Sequence, residues 1–218
     1  PFPWEASYPP GIAWDAPIAV TTLPAMLDRA TARFGDKPAI EHRGRTMSFA
    51  RLGELSGRMA ARLLRAGAGT DRPVALYLPN TPWHPLAFLG AARIGAPVVH
   101  LSPLDAAREL AFKVTDSGAR ILVTTDAASL LPNALKLLDS GDVDLVLVGR
   151  DADWGPGGLP TMAVPVDARI VVLGADVDGI ALPPSWPALT PETVALIQYT
   201  GGTTGTPKGA ILTHANLT

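Results

Sequence analysis

Apolar residues at helical spacing alternate with short apolar runs along most of this chain, and that alternation predicts its elements. Leu23, Met26, Leu27, Ala30 and Phe34 fall on one face of a helix over 23–34, which Gly35 ends. Residues 39–42 and 46–49 flank Arg43-Gly44-Arg45 as a hairpin, with the glycine serving the turn. Ser48 is the candidate N-cap of a helix carrying Phe49, Leu52, Leu55, Met59 and Leu63 and closed by Gly67.

A strand and helix alternation then sets in. Strands are predicted over 74–78, 97–101, 120–124 and 143–148. Between them lie helices over 82–94, with Thr81 as cap and Pro82 at the first position, from Asp105 as cap to Thr115 before Gly118, and over 132–138. Units of this length predict an α/β fold with a largely parallel sheet covered by helices. Residues 149–167, rich in Gly and Pro, read as a loop, 169–173 as a further strand, and 181–187 as a proline-stiffened connector. Residues 1–17 read as an extended arm whose Trp4, Tyr8 and Trp14 serve as packing anchors.

Composition narrows the class. With 218 residues the chain can bury a substantial core as one large domain or two small ones. Hydrophobic residues at 47% and charged residues at 17% exclude disorder. A net charge of -2 makes no electrostatic case for nucleic acid. Without cysteine there is no disulfide, thiol nucleophile or thiolate zinc site. No apolar run approaches the ~20 residues of a transmembrane helix, and the first residues lack a signal peptide's basic and apolar regions. The expected location is the cytoplasm, with peripheral attachment to a membrane left open. The chain starts without Met and stops at Thr218 as a new helix begins, so it is expected to be a fragment.

Most of the candidate chemistry lies late. The apolar run 194–198 leads into Tyr199-Thr200-Gly201-Gly202-Thr203-Thr204-Gly205-Thr206-Pro207-Lys208-Gly209-Ala210. Its glycines let backbone N–H groups converge on an anion, its threonines add hydroxyl donors, and Lys208 adds a compact positive charge. The spacing departs from the Walker A pattern, because Lys208 stands three residues after Gly205 and is followed by Gly209. Elsewhere His42, His84, His100 and His214 are scattered without metal-ligand spacing; the first three read as surface or packing residues and His214 as a helix-start or supporting residue. Asp139, Asp142, Asp144, Asp151 and Asp153 read as a solvated face, since no EF-hand loop surrounds them.

The run from Tyr199 to Ala210, followed by Leu212-Thr213-His214-Ala215-Asn216-Leu217, resembles the signature loop of the adenylate-forming (AMP-binding) superfamily and is most like medium- and long-chain fatty acyl-CoA ligases. The segments from Leu89 to Val99 and from Thr115 to Ala119 are also similar to that family, while Ser102-Pro103-Leu104-Asp105 stands where relatives commonly read Asn-Pro-Leu-Tyr. The resemblance implies the N-terminal subdomain of the family's large domain, truncated. It implies ATP, Mg2+ and coenzyme A as cofactors or co-substrates, and a fatty acid activated to acyl-AMP before thioester formation. It places Thr200, Gly201, Gly202, Thr203, Thr204, Gly205, Thr206, Lys208 and Gly209 on the ATP phosphates, and the catalytic residues, metal ligand and most of the acyl pocket after Thr218. The fragment alone is expected to be inactive. The alternatives are an acyl-AMP ligase or aryl-acid ligase, or a non-catalytic phosphate-binding or structural module. Without nucleotide, residues 200–208 are expected to be poorly ordered.

Overall fold

The apolar strands assemble into a mixed seven-stranded sheet with helices on both faces. The computed structural model describes residues 2–201 and 207–218. Helix α1 (Leu23–Phe34) is followed by the antiparallel hairpin β1 (Pro38–His42) and β2 (Arg45–Ser48). At its turn Arg43 and Gly44 have φ of 49° and 72°, the paired left-handed conformation that a tight hairpin demands. Helix α2 (Phe49–Arg65) starts where the Ser48 side chain accepts from Arg51 N, and Gly67 beyond its end takes φ 86°.

The main sheet then forms from β3 (Val74–Tyr77), α3 (Trp83–Arg93), β4 (Val98–Leu101), α4 (Ala107–Ser117), β5 (Ile121–Thr125), α5 (Leu131–Asp139), β6 (Leu145–Gly149), β7 (Ile170–Leu173), β8 (Val194–Thr200), β9 (Lys208–Thr213) and α6 (His214–Leu217). The strand order is β7-β6-β5-β3-β4-β8-β9. All neighbouring pairs are parallel except β8 and β9, which are antiparallel. The four strands expected to share one parallel sheet do so. The antiparallel edge strand β9 was not foreseen.

Alternation along β3 explains why its sequence is apolar throughout. Val74 and Leu76 face a core shared with α2 and α3, while Ala75 and Tyr77 face a second core shared with α4 and α5. Helices α2 and α3 cross at Gly90, where a Cβ would stand 2.8 Å from Met59 Cγ and 3.0 Å from Ala60 N. Trp83, fully buried, donates from Nε1 to Arg150 O at 3.0 Å and packs edge-on against Trp154.

Two expected caps differ in the structure. The Thr81 side chain makes no cap bond; its carbonyl accepts from His84 N, and Pro82 occupies the cap position. Helix α4 starts after Ala106, because the Asp105 carboxylate is drawn instead to Lys113 Nζ at 2.7 Å and to Ser102 N at 2.8 Å. The expected acidic face is divided. Asp144 pairs with Arg120 at the surface, but Asp151 is 1% exposed and takes both terminal nitrogens of Arg43, tying the β1–β2 turn to residues 151–154. A bidentate guanidinium is what makes burial of that carboxylate tolerable. At the N-terminus, Phe2 stacks on Trp4 and Trp14 meets both edge-on, with all three rings exposed. Among the described residues, no helix is long and apolar enough to cross a membrane.

The crossing at Gly90 gives a first test. Ala there gains helix propensity but forces α2 and α3 apart against backbone, so Gly90→Ala should cost about 1–3 kcal/mol, read from the urea midpoint. An unchanged or raised midpoint would show that the helices separate freely.

Candidate phosphate-binding site

Strands β4 and β8 end side by side, and a cavity of about 410 Å³ opens at their carboxyl ends. Its walls include His100 and Ser102 from the end of β4, Lys113 from α4, and Gln198, Tyr199, Thr200 and Gly201 from β8 and its exit. From β3 the chain crosses to β4 on one side and then, through α4, to β5 on the other, so the reversal of winding lies between β3 and β5. The cavity stands apart from it, where β4 pairs with β8 and the chain turns back through β9.

Of the residues the sequence assigns to phosphate, Thr200 ends β8, Gly201 follows it, and Lys208 begins β9 opposite Thr200. Thr200, Gly201 and Lys208 are exposed. Gly209 pairs with Tyr199; a Cβ there would stand 2.9 Å from Ile197 Cγ2 and 3.3 Å from Tyr199 Cζ, so only glycine lets the two strands close. Gly202, Thr203, Thr204, Gly205 and Thr206 lie outside the described residues, as does most of the segment expected to be poorly ordered.

The structure adds residues that sequence reasoning passed over. Asp105 and Lys113 form an ion pair on the cavity wall, both side chains 11% exposed. Tyr199, 8% exposed, donates its hydroxyl to Asp116 Oδ2 at 2.6 Å. Burial, and then that carboxylate, pushes the phenol well above its ordinary value, so it stays a donor. His100 Nδ1 lies 3.2 Å from Gln198 Oε1, and the His100 ring packs against His84 and Phe88. Burial lowers the pKa of both histidines; Gln198 opposes the shift at His100, and His100 adds to the lowering at His84. Tyr199, Asp105, Asp116, His84 and His100 stand in the sequence only as motif, cap or packing residues, and Lys113 and Gln198 carry no signal as site residues.

His214 is not among the residues that line the cavity. It starts α6, is fully buried, and accepts the backbone N–H of Leu23 at 3.2 Å, which places its proton on Nε2. Among the described residues, no three His, Asp or Glu side chains converge to hold a metal ion. None of them is therefore assigned to Mg2+.

A Gly/Thr sequence between the carboxyl end of β8 and a lysine can offer backbone N–H groups and a cation to an anion. A sequence model of the AMP-binding enzyme family matches residues 27–218. The chain belongs to the AMP-binding enzyme family. A long-chain-fatty-acid–CoA ligase of Escherichia coli O157:H7 is 33% identical over 228 residues, covering 98% of this chain and 40% of that protein. A sulfoacetate–CoA ligase of Cupriavidus necator (strain ATCC 17699 / DSM 428 / KCTC 22496 / NCIMB 10442 / H16 / Stanier 337) is 30% identical, covering 92% of this chain and 36% of that protein. The apo structure of Mycobacterium smegmatis MbtA is similar at a TM-score of 0.72 and 28% identity, covering 91% of this chain and 34% of that one. This AMP-binding family chain thus spans 40% of the length of the first of these relatives.

One buried and two partly buried histidines set a pH dependence. Their ordinary value is 6.5, and His84, His100 and His214 all have it lowered, with burial the main cause. Above that value both folded and unfolded chains keep the rings neutral. Below it the unfolded chain takes up protons that the folded chain resists, so stability falls with pH. The urea midpoint should drop between about pH 7.5 and about pH 5.5, and His100→Asn should flatten the drop. A midpoint independent of pH in that window would contradict the neutral state of these rings.

Proposed function

We propose that this chain is the N-terminal portion of an acyl-CoA ligase. The complete enzyme joins the carboxylate of a fatty acid to the α-phosphorus of ATP, expelling pyrophosphate, and then passes the acyl group from AMP to the thiol of coenzyme A. One observation carries this reading: the Gly/Thr loop leaves β8 and returns through Lys208 beside the cavity at the carboxyl ends of β4 and β8. The long-chain relative aligns over more of the chain than the sulfoacetate ligase does, and this supports a fatty acid over a short polar acid.

In this reading the backbone donors of Thr200 to Gly205, the threonine hydroxyls and the Lys208 ammonium hold the β- and γ-phosphates. Their main contribution is to charge that grows on the pyrophosphate as it leaves, because preorganised donors act most strongly where charge develops. Mg2+ would supply further neutralisation of that charge. Lys113 is engaged by Asp105, whereas Lys208 is exposed and forms no ion pair among the described residues. That leaves the lysine at the start of β9 to meet an incoming phosphate.

The two half-reactions separate this role from general damage. Lys208→Ala in the full-length enzyme should slow acyl-adenylate formation by about a hundredfold, equivalent to about 3 kcal/mol, while thioester formation from supplied acyl-AMP stays near normal. The isolated 218-residue chain should show no ATP–pyrophosphate exchange. An unchanged adenylation rate would remove the lysine's role, and substantial exchange by the isolated chain would show that the essential groups are already present in it.

A further inference from the structure

Both ends of the Gly/Thr loop are gripped through one side chain. Tyr199 precedes Thr200, and its partner across the ladder, Gly209, follows Lys208. The Tyr199 ring passes over Gly209 closely enough that a Cβ there would press on its Cζ. The far end of the ring reaches the last turn of α4. There the hydroxyl donates to Asp116 Oδ2 at 2.6 Å and lies 3.3 Å from Lys113 O, with Phe112 edge-on beside it. Asp116 sits near the carboxyl end of its helix, where the helix dipole disfavours negative charge. A short bond from a phenol compensates that position, and in return Asp116 fixes the ring.

We propose that Tyr199, held by Asp116 and seated over Gly209, is a positioning residue that sets the separation and direction of the loop's two ends, Thr200-Gly201 and Pro207-Lys208. The proposal rests on the reading that this loop holds nucleotide phosphates. Tyr199 does not touch the phosphates. It acts through the backbone N–H groups beside it and through the Cα of Lys208, which a released ring would leave free to drift. The glycine at 209 serves the same device, because any side chain there would lift the ring from its seat or push the strands apart.

The test uses the full-length enzyme and four variants: Tyr199→Phe, Asp116→Ala, Asp116→Asn and the double Tyr199→Phe/Asp116→Ala. Tyr199→Phe keeps the ring and removes only the anchoring bond. It should lower the kcat of ATP–pyrophosphate exchange by about tenfold and raise the KM for ATP. The KM for the acid and the rate of thioester formation from supplied acyl-AMP should stay at wild-type values. Asp116→Ala should match it, the double variant should be no worse than either single, and Asp116→Asn, whose amide oxygen still accepts, should recover most of the loss.

Wild-type exchange in Tyr199→Phe would overturn the proposal. So would a loss shared equally by the acid KM and the thioester step, or a lowered melting temperature without the ATP-specific split. Lys208→Ala in the same assays separates this proposal from the one beneath it. If Lys208→Ala is impaired and Tyr199→Phe is not, the positioning role alone falls. If both are silent, the phosphate reading falls as well.

Discussion

The antiparallel closure of β9 onto β8 is the constraint on which the site depends. Glycine-rich chain loses more conformational freedom on ordering than any other, so a loop built from it must have its ends fixed by something else. Here the ladder running from Leu196 and Leu212 to Thr200 and Lys208 fixes them. That ladder is in turn supported from both faces of the sheet, since Leu196 belongs to the core under α2 and α3 and Tyr199 to the core under α4 and α5. The rest of the α/β architecture brings β4 beside β8, so that the loop leaves the sheet next to the carboxyl end of β4.

Charge is distributed to suit that arrangement. The cavity's wall carries an ion pair that is already matched, Asp105 with Lys113, and a phenol that already has its acceptor. Satisfied groups of this kind add shape without adding a strong unpaired field, and they hold their places because leaving either partner alone while buried would be costly. The exposed cation belongs to the loop's returning strand. In the proposed reading an incoming anion is met by Lys208, because Lys113 is already matched by Asp105.

Sequence periodicity located most of the framework for reasons visible in particular residues. Helix α1 was bounded correctly because Phe34 is followed by Gly35, and α2 because Ser48 accepts from Arg51 N. The parallel strands were legible as continuous apolar runs buried on both faces. Strand β9 was not, because its first four residues are exposed and two of its first three are Gly and Ala, giving neither a run nor an alternation. Asp105 and Thr81 looked like caps by type and position, but Lys113, farther along the same helix, claimed the first and the second closes its turn through the carbonyl. The loop itself was the most legible part of the site, whereas Gln198, Lys113 and Asp105 join it only through folding. Asp151 was misread for the same reason, since Arg43 lies 108 residues away.

The central claim is that phosphate binds where β8 hands the chain to β9. Titrating the isotopically labelled protein with ATP and following backbone amide shifts tests it most directly. The predicted result is saturable shifts at Thr200, Gly201, Lys208 and Gly209, lost in Lys208→Ala while the shifts of α1 and the β1–β2 hairpin stay still. Saturable ATP shifts confined to another part of the molecule, or unaltered by Lys208→Ala, would contradict it.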